Sequence, residues 1–276
     1  MTTDTEWQAW GNRDPYYAVL ANPKFRADVI TPDAKLEFFA SGVKTVHCVL
    51  ETCRRYFDPN FAPQRVLDFG CGVGRLSIPF AAQVREVVGM DIAESMLTEA
   101  RLNCKARDCH NVTLVLSDDG LSRATGQFDL VYSGLVLQHL EVARGRKLFA
   151  ELVSKVQPGG CGVIQVTFAW EKYEAEFGVV PDREIVAPAP KGRLLQTRIF
   201  LRRAFERLGI LRTVPVIGPP AKAIYSDPEM QMNFYNLNQL MFILQRAGVQ
   251  RVFSNFVDHG GVLVAFMFFQ KAPQAS

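Results

Sequence analysis

Residues 65–78 read RVLDFGCGVGRLSI. A short apolar run, Arg65–Phe69, leads at once into glycines at 70, 72 and 74. The run has no polar alternation, so it predicts a strand buried on both faces. Glycine permits left-handed backbone conformations and lets another group approach with no Cβ in the way. Placed between a strand and a helix start, the three leave backbone N–H groups free at a positively polarised helix end. Such a turn suits the polar tail of a nucleotide-like ligand.

The spacing narrows the choice. A dinucleotide-binding turn has the form G-x-G-x-x-G, whereas this chain has G-x-G-x-G with Asp68 in the preceding strand. A carboxylate there repels a diphosphate and can hold an ammonium group, so a cationic amino-acid tail is the better match.

Outward from this stretch, strand-like and helix-like runs alternate. EVVGMD (86–91), VTLVLS (112–117), FDLVYS (128–133) and CGVIQVTF (161–168) read as strands. AESMLTEARLNCKARD (93–108) and EVARGRKLFAELVSKV (141–156) read as helices, and residues 34–57 have helical spacing behind Pro32–Asp33. Apolar strands alternating with helices predict an α/β fold, a mostly parallel doubly wound sheet covered on both sides. NLNQLMFILQRAG (236–248) is then a helix with a glycine stop. Residues 250–270, turning at His259–Gly260–Gly261, predict an antiparallel hairpin. Asp91 ends the second strand and Asp118–Asp119 follow the third, which places carboxylates at the edge where open α/β sheets bind ligands.

With 276 residues the chain suffices for one enlarged domain. We expect the divisions 1–58 (helical cover), 59–168 (α/β core), 169–233 (an insert forming a lid) and 234–276 (helix and hairpin completing the core). A net charge of +3 is too small for a general polyanion binder, so nucleic acid is not the expected partner. No stretch approaches the ~20 apolar residues needed to span a bilayer. The polar N-terminus and six cysteines without a C-x-x-C pair fit reduced thiols in the cytoplasm. Cys104, Cys109 and His110 match no zinc spacing, so no metal is expected.

The blocks VLDFGCGVG, VVGMDIAESML, LVLSDDGL, FDLVYSGLVLQHL and LVSKVQPGGCGVI occur in that order. In them the chain resembles the class I S-adenosylmethionine-dependent methyltransferases over roughly residues 60–168, and to about 270 with the last helix and hairpin. The resemblance implies a seven-stranded sheet with an antiparallel last strand, and S-adenosyl-L-methionine as cofactor with S-adenosyl-L-homocysteine as product. It implies that Asp68, Gly70, Cys71, Gly72 and Gly74 line the methionine part. Asp91 would take the ribose hydroxyls, Ile92 and Met96 would lie near the adenine, and Asp118, Asp119, Gly120 and Leu121 beside it. Ser133, Gly134 and Leu135 would border the sulfonium. The amide- and adenine-binding motif that some members carry after the fourth strand is replaced here by YSGL, which argues against methylation of bases or glutamine.

Methyl transfer from a sulfonium needs alignment and exclusion of water, and needs a base only if the acceptor loses a proton. His139 stands where an acceptor would lie and is the candidate base, with packing as its alternative role. His259 is a lesser candidate. The aromatic-rich stretch around Trp7, Trp10, Tyr16 and Tyr17 is expected to cover the cleft, with Tyr16 or Tyr17 touching cofactor or acceptor. Lys191–Arg212 predicts a basic lid helix, whose sharper reading is a grip on an anionic acceptor. The expected activity is methyl transfer to an O or N of a small-molecule acceptor. Transfer to RNA or protein, a non-catalytic cofactor-binding role, and other chemistry with the same cofactor remain alternatives, and the oligomeric state is open.

Overall fold

The computed structural model describes residues 3–172, 227, 228 and 230–273. The basic stretch Lys191–Arg212 and most of the expected lid insert lie outside these residues.

Three helices open the chain: α1 (Thr3–Arg13), α2 (Pro15–Val19) and the long α3 (Pro32–Tyr56). The start of α3 follows from its sequence, because the Thr31 hydroxyl accepts from the Ala34 N–H and Pro32 occupies the first turn. The core alternates β1 (Arg65–Phe69), α4 (Ser77–Ala81), β2 (Glu86–Asp91), α5 (Glu94–Lys105), β3 (Val112–Leu116) and β4 (Phe128–Ser133). It continues with α6 (Val142–Lys155), β5 (Val156–Trp170), α7 (Leu237–Arg246), β6 (Val249–Asp258) and β7 (Val262–Lys271). The expected helix after the glycines is shorter than its sequence pattern, because turns carry the chain through Arg75 and Leu76 before α4 begins. Strand β5 runs to Trp170, past the expected insert boundary at 168.

The seven strands form one sheet in the order β3-β2-β1-β4-β5-β7-β6. Strands β1 to β5 pair in parallel, and β7 is antiparallel to both β5 and β6. This is the class I methyltransferase arrangement, with the chain reversing at the central β1–β4 pair. Successive residues of the central strands feed opposite faces. Leu67 and Val131 join Leu148, Phe149 and Leu152 of α6 and Leu240 of α7 on one side. Val66 and Leu130 join Val46, Val49 and Leu50 of α3 and Phe80 of α4 on the other. A third cluster, built from Trp10, Tyr16, Phe25, Phe38, Phe39, Val73 and Met96, ties the N-terminal helices to the glycine turn and α5. Residues 233–235 are stitched to the sheet: the Thr167 hydroxyl donates to the Asn233 carbonyl (2.6 Å), and the Tyr235 hydroxyl donates to that of Leu137 (2.6 Å).

Helix α3 crosses the glycine turn at Gly42, where a Cβ would lie 2.2 Å from the Arg75 carbonyl oxygen. Glycine-to-alanine in a helix interior ordinarily stabilises by up to about 1 kcal/mol. Here the clash is with backbone, so Gly42→Ala should instead destabilise by about 1–3 kcal/mol. Urea unfolding reads the sign directly, and a gain in stability would contradict this packing.

Candidate active site

The glycine turn is strapped across the end of β2. The N–H groups of Gly70 and Cys71 both donate to the Met90 carbonyl (2.7 and 3.0 Å), and that of Gly72 donates to the Asp91 carboxylate (2.9 Å). Asp91 also accepts from the Ala93 N–H (2.9 Å), so one side chain fixes both the glycine turn and the start of α5. Gly70 and Gly72 have φ of +73° and +53°. A Cβ on Gly70 would meet Val136 at 2.0 Å, and one on Gly72 would meet Val19 at 2.6 Å. These glycines therefore admit the protein's own side chains, from the loop after β4 and from α2. The N–H groups expected to be left free at this turn are instead spent on the end of β2.

A cleft opens at the C-terminal strand ends. Asp68, Gly70, Cys71 and Gly72 line one part of it, Asp91, Ile92 and Met96 the next, and Asp118 and Asp119 the end beyond β3. Gly134, Leu135 and His139 line the side after β4. Most of the expected site residues are thus brought together. Gly74 (φ +84°) shapes the turn from outside the lining. Gly120 and Leu121 also stand back: Asp118 accepts from the N–H groups of Gly120 and Ser122, and the Leu121 side chain enters the core. Ser133 is buried behind Gly134, its hydroxyl without a partner among the described residues.

The two tyrosines are not brought to the cleft. The Tyr16 hydroxyl donates towards Glu99 (2.6 Å) and Asn103 (3.0 Å), and its ring packs edge-on against Phe38. Asn103 in turn donates to the Val73 carbonyl in the glycine turn (3.0 Å), so Tyr16 supports the site through α5. Tyr17 lies under the Arg26 guanidinium, 3.6 Å from the ring centre. Ala18 and Val19, which follow them on the short helix α2, reach the cleft instead.

The covering role of the N-terminal segment is visible in α1. Thr3, Asp4 and Trp7 line the cleft, and the Trp7 and His139 rings lie 4.8 Å apart. Arg144 of α6 clamps this helix down, donating to Asp4 (2.7 and 3.1 Å) and forking onto Asp119 (2.7 to 3.0 Å). His259 is exposed at the hairpin tip and does not line the cleft.

Burial sets the charges. Asp68 is held up to about 6 by burial, although the Ser77 hydroxyl donating to it (2.6 Å) works the other way. Asp91 is raised by burial and lowered by the N–H groups it accepts from. Asp118 sits below the usual carboxylate range because Ser122 donates to it through both hydroxyl and N–H. His139 is driven down to about 4 by burial, so its ring is neutral at ordinary pH. Its Nδ1 faces the Gln231 carbonyl (2.8 Å), which can only accept; Nδ1 carries the proton and Nε2 keeps its lone pair. Among the described residues no three His, Cys, Asp or Glu side chains gather in a metal-binding group, and no helix is long and apolar enough to cross a membrane.

Fold and site together define an α/β domain with a cleft at the C-terminal ends of its central strands. Residues 66–160 match a family model described as a methyltransferase domain. They form a methyltransferase domain of the class I, S-adenosylmethionine-dependent family, whose cofactor is S-adenosyl-L-methionine. The ubiquinone biosynthesis O-methyltransferase of Ruegeria sp. (strain TM1040) is 37% identical over 83 residues, 30% of this chain and 34% of that enzyme. The first curated relatives are matched over about a third of their length or less. The demethylmenaquinone methyltransferase of Tropheryma whipplei (strain Twist) is 26% identical over 201 residues, 73% of this chain and 72% of that one. In fold, magnesium protoporphyrin IX methyltransferase from Synechocystis PCC 6803, solved with bound S-adenosyl-L-homocysteine, covers 97% of this chain with 99% of its own. The TM-score is 0.56 and the identity 18%.

Sequence reading missed Arg75, Trp7's contact with His139, Tyr132, Val136 and the Asp4–Arg144 clamp. Only Arg75, directly after the glycines, had a local signal.

A cationic ligand group binds the ionised form of Asp68, so its affinity should be constant above about pH 7. Below 6 it should fall as Asp68 protonates, by up to about tenfold per pH unit. Calorimetry with S-adenosyl-L-methionine from pH 5 to 8 checks this. Asp68→Asn should bind more weakly and lose the dependence; a flat wild-type profile would remove Asp68 from the ammonium site.

Proposed function

We propose that the protein is a methyltransferase that moves the methyl group of S-adenosyl-L-methionine to an oxygen or nitrogen of a small-molecule acceptor. One observation carries the small acceptor: α1 lies over the strand ends, with Trp7 set against His139 and Arg144 clamping Asp4. A covered, partly apolar cleft suits a small acceptor better than the open groove a polymer needs. The relatives named above that act on quinone precursors and a porphyrin are in keeping with this.

The residues present fit the cofactor. Asp68 lines the cleft beside Gly70 and Gly72, where it can meet an ammonium group. Each Asp91 oxygen accepts one N–H, leaving lone pairs for two hydroxyls. Ile92 and Met96 offer apolar surface to a base, with Asp118 and Asp119 at its edge. When bound, the cofactor supplies a methyl group on an already activated sulfonium.

What this chain adds is alignment and dryness. Gly134 and Leu135 border the reacting end, and the Leu135 N–H is fixed by the Gln165 side chain (3.0 Å). Leu135 holds a left-handed backbone (φ +62°), a strained conformation for a side-chain-bearing residue that the surrounding contacts maintain. His139 has the tautomer required to take a proton from an acceptor hydroxyl at Nε2. Because its ring is half protonated only near pH 4 and neutral well above it, it contributes no inflection near the ordinary histidine value.

Purified protein with methyl-labelled cofactor and a panel of phenols, carboxylates, sugar nucleotides, amines, peptides and RNA tests the proposal. Label should enter one small-molecule class; label in RNA or peptide, or in nothing despite tight cofactor binding, would overturn it. On a hydroxyl acceptor, His139→Ala should cut turnover by ~10²–10⁴ with cofactor affinity little changed. Near-normal turnover would leave His139 a packing partner of Trp7.

A further inference from the structure

The segment CKARDC, residues 104–109, ends α5 in a way that brings its two cysteines together. The Cys109 N–H donates to the Cys104 carbonyl (3.1 Å), and the Asp108 N–H donates to that of Lys105 (3.3 Å). Asp108 turns the chain with a left-handed backbone, φ +51°. Nested bonds around one left-handed residue form a Schellman helix end, whose first and last side chains commonly meet over the turn. That contact is ordinarily between apolar residues; here both are cysteines.

Both are free thiols, Cys104 buried and Cys109 half-buried. They line one surface pocket with Arg101, Lys105, Asp108 and His110. Cys109 is thus open to solvent on the side where Cys104 stands. Burial raises both thiols, Cys104 to about 11, and the charge of Cys109 adds to the rise there. The Arg107 guanidinium works the other way at both sulfurs, favouring the thiolate. The Cys109 thiol rests on the Arg107 carbonyl (3.6 Å), a weak bond that costs little to give up.

We propose that Cys104 and Cys109 form a dithiol that a hydroperoxide closes to an intramolecular disulfide, locking the end of α5. The Cys109 thiolate attacks the peroxide: an S–O bond forms, the O–O bond breaks, and an alcohol leaves, or water when the oxidant is hydrogen peroxide. The Cys104 thiolate then attacks the sulfenic sulfur, forming the S–S bond and releasing hydroxide, which departs as water. Two thiols lose two electrons and one peroxide gains them. The bridge ties α5 to the turn that leads into β3. Asn103, next to Cys104, donates to the Val73 carbonyl in the glycine turn (3.0 Å), so the oxidised form also braces that turn from behind. None of this depends on the methyl acceptor.

The test treats the full chain with hydrogen peroxide at about pH 8, where the thiolate fraction is larger than at neutral pH. Free thiols are then alkylated, and tryptic peptides are mapped by mass spectrometry without reduction. The peptides carrying Cys104 and Cys109 should be joined, two hydrogens lighter, in monomeric protein. The thermal unfolding midpoint should rise by about 2–6 °C and return on adding a dithiol reductant. Cys109→Ser should show neither the joined peptides nor the shift. Four results would each overturn the proposal: both thiols alkylated, Cys109 carried to sulfinic acid with Cys104 free, pairing with another cysteine, or a bridge that leaves the midpoint unchanged.

Discussion

Everything at the functional end of this protein hangs on the glycine turn being strapped to the end of β2. Three consecutive N–H groups, of Gly70, Cys71 and Gly72, are donated to the Met90 carbonyl and the Asp91 carboxylate. Buried N–H groups must find acceptors, so the turn cannot relax away from the neighbouring strand without leaving them orphaned. Once it is pinned, the positions of Asp68 at the end of β1 and Asp91 at the end of β2 are fixed relative to each other. The same turn receives Val19 from α2 and Val136 from the loop after β4, which sets where the cover and the far wall of the cleft can stand.

The charges around the cleft are arranged against their own comfort. Burial pushes Asp68 and Asp91 up and Arg75 down, so each charged form is disfavoured by its surroundings. The same burial keeps His139 neutral. Groups held this way gain more from a complementary ligand than solvated ones do, because electrostatic attraction is stronger where water is excluded. Stability elsewhere carries that cost: two apolar layers flank the sheet, and an aromatic cluster joins α3 to the N-terminal helices. Tyr16 belongs to that supporting structure. Through Asn103 it holds the Val73 carbonyl, tying the cover to the turn from behind rather than from within the cleft.

The sequence by itself determined the strand–helix alternation, the antiparallel hairpin and the strand-end location of the site. All three follow from local patterns: continuous apolar strands, caps and glycine stops, and carboxylates at or just beyond strand ends. It also favoured a cationic tail on the ligand, because Asp68 before a G-x-G-x-G turn repels a diphosphate. Tertiary structure decided what depends on the facing of short elements and on residues far apart in the chain. Helix α2 has only five residues, too few for a periodicity to show that Val19 faces the cleft while Tyr16 is buried. The Asp4–Arg144–Asp119 clamp joins residues 140 apart, and His139's tautomer depends on a carbonyl 92 residues away. That Arg75 is buried and short of partners among the described residues goes with how closely α3 crosses the turn at Gly42, a packing distance that no local pattern encodes.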